Sequence, residues 1–205
     1  LFNNYLHNRE PASDFETNEG LCDFNEDISN WDVSNVTNMQ DMFSQSKAFN
    51  QPIEKWNVSN VTTMENMFND SKAFNQPIGK WDVSNVTNME QMFRQSKAFN
   101  QPIEKWDVSN VTTMKMMFMY SEAFNQPIEK WNISSGTDME YMFNDHQPIQ
   151  SAFKQTLPDE WKKRVNNQPK NHVDLQKRLI HYHKYGDKST YEHPNLWDVS
   201  SITTM

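Results

Sequence analysis

The sequence predicts an α/β solenoid of stacked strand–helix coils with a parallel sheet, closed by an α-helical cap. Three observations carry this. Aromatic and methionine columns recur every 25 residues, alternation around each tryptophan has a period of two, and the segment after it has apolar residues at helical spacing.

The columns set the register. Trp31, Trp56, Trp81, Trp106 and Trp131 are evenly spaced, and so are Phe24, Phe49, Phe74, Phe99 and Phe124. Met39, Met64, Met89, Met114 and Met139 keep the same step, as do Phe43, Phe68, Phe93, Phe118 and Phe143. Within one unit, Trp56 and Val58 flank Asn57, which predicts a short strand with one buried face. Thr62 stands three residues before Glu65, the spacing of a capping box, and Thr87/Glu90 and Thr137/Glu140 repeat it. Met64, Met67 and Phe68 then fall at i, i+3 and i+4, which predicts one helical stripe. Asn75-Gln76-Pro77 turns the chain back, because proline forces its predecessor to extend. No unit buries its own stripe, so the copies are expected to supply each other's core.

This skeleton resembles a leucine-rich repeat with Trp and Met substituted. "FNQPIEKWDVSNVTNMEQMF" is similar to the BspA-like 25-residue surface repeat, known from mycoplasmas, other bacteria, protists and giant viruses. The resemblance covers about residues 22–149 and resumes at 197–205. It implies a leucine-rich-repeat-like solenoid with strands on one face and helices on the other, and a surface or binding role.

The repeat breaks after Phe143. Leu157–Val165 and Val173–Tyr182 read as helices, the second ending at Gly186. The expected organisation is an N-terminal cap or linker at 1–21, a five-coil array at 22–149, a helical cap or connector at 150–190, and a second array beginning at 191–205. Trp197–Met205 restarts the motif, so the native chain is expected to continue into further copies.

Net charge is −8 and mean hydropathy is −0.92. Residues 1–143 hold ten basic and twenty acidic side chains, a net of −10; residues 144–196 hold nine and six, a net of +3. An acidic array is a poor nucleic-acid binder, and no apolar run reaches the length of a membrane span. Cys22 is the single cysteine, so no intrachain disulfide forms.

The expected binding face is the set of columns pointing outward beside the tryptophans. It comprises Lys55, Lys80, Lys105 and Lys130, then Asp32, Asp82 and Asp107, then Ser59, Ser84 and Ser109. The alternative is a solvated face whose Lys and Asp neighbours offset one another. The Asp/Asn ladder does not converge as calcium requires. His181 and His183 lie on different faces of a helix, not at zinc spacing. Asn35, Asn60, Asn85 and Asn110 each open an Asn-Val-Thr sequon, at the strand-to-helix bend, where a packed turn is the better explanation. The Met column reads as core, and the Lys162-Lys163-Arg164 run as a solvated helix face.

No catalytic or metal constellation stands out, and no cofactor is expected. The expected function is a non-catalytic scaffold for protein or glycan binding or surface display, at a cell surface or on a virion. The alternative is a structural component of a larger assembly, such as a giant-virus capsid or its surface layer.

Overall fold

The computed structural model describes residues 23–143 and 157–165. Five coils stack in the 25-residue register: 23–47, 48–72, 73–97, 98–122 and 123–143. After them comes one helix, α1 (Asp159–Arg164).

The coils are not strand–helix units, and among the described residues no sheet forms. That corrects the expected fold class. Neighbouring coils share one isolated parallel bridge each: Asn38 with Thr63, Thr63 with Asn88, Asn88 with Thr113, and Thr113 with Asp138. The Trp-Asn-Val segment alternates as expected, with Trp56 and Val58 buried and Asn57 exposed, but it pairs with nothing as a strand.

The expected helix is a run of turns. Met67 donates its backbone N–H to the Met64 carbonyl (3.2 Å) and Ser71 donates to Phe68 (3.1 Å). The third residues of these turns, Asn66 and Asp70, have φ of 53° and 57°. A closed turn with positive φ at its third residue is of type II. The same left-handed positions recur at Asp41, Gln45, Gln91, Gln95, Met116, Tyr120 and Tyr141. Two successive turns bring Met64, Met67, Phe68 and Ser71 to one side, which is the spacing a helix would also produce. The capping box is likewise a different device. Asn88 accepts from the Glu90 N–H (2.8 Å) and Thr63 from Glu65 (3.4 Å), each side chain reaching two residues ahead.

What selects turns over helix is the next coil. Met64, Asn66, Phe68 and Asp70 donate their N–H groups to the carbonyls of Asn88, Glu90, Met92 and Arg94, at 2.8–2.9 Å. In a helix those donors would be spent within the coil. Each left-handed non-glycine residue costs about 1–2 kcal/mol, and the inter-coil bonds and core burial offset it.

The core is a pair of phenylalanine columns zipped together. Ring centroids lie 3.8 Å apart between Phe68 and Phe74, and 5.6 Å apart between Phe68 and Phe93 one coil on. The Met column is buried among them. Polar groups close across coils: Trp81 Nε1 donates to the Ile53 carbonyl (3.2 Å), and the buried Ser96 hydroxyl donates to the Phe68 carbonyl. Asn75 Oδ1 accepts from the Asn100 N–H (3.0 Å), one rung of an asparagine ladder. Leu157, Trp161 and Val165, on and beside α1, join the same core.

The helix expected at Leu157–Val165 therefore has its counterpart in α1. The expected segments 1–21, 144–149 and 191–205, the helix Val173–Tyr182, Cys22 and the insert histidines lie outside the described residues.

Candidate binding surface

The outward lysines Lys55, Lys80, Lys105 and Lys130 are all exposed, one per coil. Among the described residues they form no ion pair, so they are not neutralised by the neighbouring Asp column. Ion pairs among the described residues form on the turn side, Lys97–Glu122 (2.9 Å), Lys115–Glu140 (3.4 Å) and Lys72–Asp70 (3.6 Å), and within α1, Lys162–Asp159 (3.0 Å).

The Asp column is exposed but already committed locally. Asp82 Oδ1 accepts from the Ser84 hydroxyl (2.6 Å) and the Ser84 N–H (3.1 Å). Asp107 holds Ser109 in the same way, and Asn57 holds Ser59. Asp32 accepts from the Ser34 N–H (3.0 Å). The serine bonds hold Asp32, Asp82 and Asp107 below the ordinary carboxylate range, hydroxyl first and backbone N–H second. Ser59, Ser84 and Ser109 are thus half-buried turn residues whose hydroxyls are occupied. The freely available groups of the expected face are the lysine ammoniums and the second carboxylate oxygens.

Asn60, Asn85 and Asn110 are exposed, yet their amides donate to the carbonyls of Ser34, Ser59 and Ser84 (2.8 Å each). The packed-turn explanation of the sequons accounts for these three. Beside them Thr62, Thr87 and Thr112 donate their hydroxyls to the threonine carbonyl one coil earlier.

Sequence reasoning missed the role of Arg164. Its Nη2 donates to the carbonyls of Ser134 (2.8 Å) and Thr137 (2.6 Å). It is a clamp on the last coil, not part of a solvated run. The fifth coil is altered to receive it. In the other four coils a turn closes from Val36, Val61, Val86 or Val111 onto the third residue before it. In the fifth, Thr137 closes onto Ser134, one residue later. The signal was legible: Ser134-Ser135-Gly136 replaces the Ser-Asn-Val of every earlier unit.

The outer side of the turns also changes along the stack. Asp41, Asn66 and Gln91 give way to Met116 and Tyr141, which with Met119 form a second buried cluster. Among the described residues no group of three or more His, Cys, Asp or Glu could hold a metal ion. No helix among them is long and apolar enough to cross a membrane.

Stacked turn-built coils with polar columns outside define a repeat protein. A family model described as "Mycoplasma protein of unknown function, DUF285" matches residues 15–85 and 75–173. These matches span well over half of the chain, which belongs to this family, one of the BspA-like repeats in the general sense. No curated protein and no solved structure matches the chain significantly.

Proposed function

We propose that the chain is a non-catalytic scaffold that displays its lysine-bearing side to a protein or glycan partner. The observation that carries this is the unpaired, exposed column Lys55, Lys80, Lys105 and Lys130 on a rigid stack. A repeated cationic group at the coil spacing, about 4.8 Å where backbones pair, suits a partner that repeats its own anionic or acceptor groups. Membership of the family supports the narrower reading as a 25-residue surface repeat, with a place at a cell surface or on a virion.

The test is a glycan array and a peptide array probed with the full chain at low and at physiological salt. The expected result is a salt-sensitive binder lost when all four lysines are changed to glutamate, with the thermal melt unchanged. No binder on either array, or binding indifferent to the four-site reversal, would overturn the reading.

A further inference from the structure

The residues on either side of the tryptophan column carry opposite charge in the middle of the stack. Lys80 precedes Trp81 and Asp82 follows it, and Lys105 and Asp107 flank Trp106 in the same way. All four are exposed, while both indoles are buried. The second and fifth coils keep the order without the second charge: Lys55 and Lys130 precede the tryptophan, and Asn57 and Asn132 follow it. Among the described residues none of these lysines pairs with a neighbouring aspartate. The aspartate side chains are already fixed, because Ser84 and Ser109 each donate twice to one carboxylate oxygen. Each carboxylate keeps a second oxygen that can accept.

A broad polyanion does not fit this side. Glu54, Glu104 and Glu129 stand just before three of the lysines, and Asp82 and Asp107 stand just beyond two. Such a ligand would meet carboxylates on both flanks of the lysine column. The complement is a single column of anions at the coil spacing, with cations beside it. The chain itself carries that column, at the same spacing and in the same register.

We propose that the lysine side docks a second copy of the chain, face to face about a two-fold axis parallel to the stack. The inference rests on the lysine side being the binding side and names what it binds. An axis over the tryptophan line exchanges the two flanks and leaves each coil opposite its own copy. Lys80 then meets Asp82 of the second copy and Lys105 meets Asp107, each twice by symmetry. Lys55 and Lys130 meet amides, and in none of these coils do like charges oppose. The other face-to-face axis, across the stack, would set lysine against lysine. Exposed ion pairs are individually weak, so the association is expected to be reversible and salt-sensitive.

The test is sedimentation equilibrium of the full chain. In about 20 mM salt, where screening is slight, the mass should rise toward a dimer with concentration, and in about 0.5 M salt the affinity should fall at least tenfold. Lys80→Asp/Lys105→Asp should melt like the parent chain and stay monomeric. Asp82→Lys/Asp107→Lys should also be monomeric alone, and an equimolar mixture of the two variants should form a mixed dimer, because opposite charges face again. Cross-linking needs no variant. A carbodiimide, which joins an amine to a carboxylate without a spacer, is applied to mixed light and heavy-nitrogen chains and should link Lys80 of one copy to Asp82 of the other. A chain that stays monomeric up to about 1 mM at low salt would overturn the proposal. So would a dimer that Lys80→Asp/Lys105→Asp leaves intact, or links that join the columns out of register. A monomeric chain that still binds an array ligand through its lysines would remove the second copy alone and leave the scaffold reading in place.

Discussion

At the C-terminal end of the stack Trp161 is 4% exposed, and Arg164 bonds two carbonyls of the fifth coil. At the N-terminal end Trp31 is 43% exposed, and four carbonyls of the first coil accept from no described residue. The coils between are close copies, so the contrast arises at the ends. A stack of identical coils is stable in its interior because each surface meets its own copy. An end has no copy to meet, and at the C-terminal end of the described coils a helix, a shifted turn and an arginine take that place.

Removing the large side chain at each end separates the two most sharply. Trp161→Ala takes a buried indole from the core and should cost about 3–5 kcal/mol. Trp31→Ala removes a half-exposed ring and should cost about 1 kcal/mol or less. Denaturant melts of both variants check this, and similar losses would mean the ends are equally closed.

Arg164→Ala should cost about 1.5–3 kcal/mol, the range for hydrogen bonds to charged groups. The loss should be local. Hydrogen exchange is expected to accelerate in the fifth coil and stay slow at Phe68 and Phe93, and uniform acceleration would contradict a clamp that acts on one end.

A smaller effect tests the interior. Burial raises the Glu90 carboxyl above its ordinary value; Lys115 opposes this and the stacked Glu65 adds to it. A carboxyl with a raised folded pKa is favoured in its protonated form. Its contribution therefore worsens as pH rises from the unfolded value through the folded one. Glu90→Gln should raise the Tm at pH 7, and the gain should vanish below about pH 4. A gain that persists in acid would point to packing rather than charge.

The period, the buried columns and the exposed lysines were legible in the sequence, because each rests on residue type at a fixed step. Trp81 is buried and Lys80 exposed, as their columns imply. The local structure was not legible. Met64, Met67 and Phe68 have helical spacing, but paired type II turns share it, and the bonds that decide are to residues 24 positions away. Non-glycine residues such as Gln91 and Met116 carry no mark of a left-handed backbone. Arg164 was hidden for a related reason: its partners, Ser134 and Thr137, are backbone carbonyls, which no side-chain pattern announces.

The segments with helical spacing are turns with left-handed third residues, stacked through their backbones. The most direct measurement compares Gln91→Gly with Gln91→Ala in the full chain. Gln91 has φ of 55°. In a left-handed turn glycine is favoured over alanine by about 1 kcal/mol, so Gln91→Gly should melt above Gln91→Ala. In a helix alanine is favoured by about the same amount, and Gln91→Ala melting above Gln91→Gly would contradict the account.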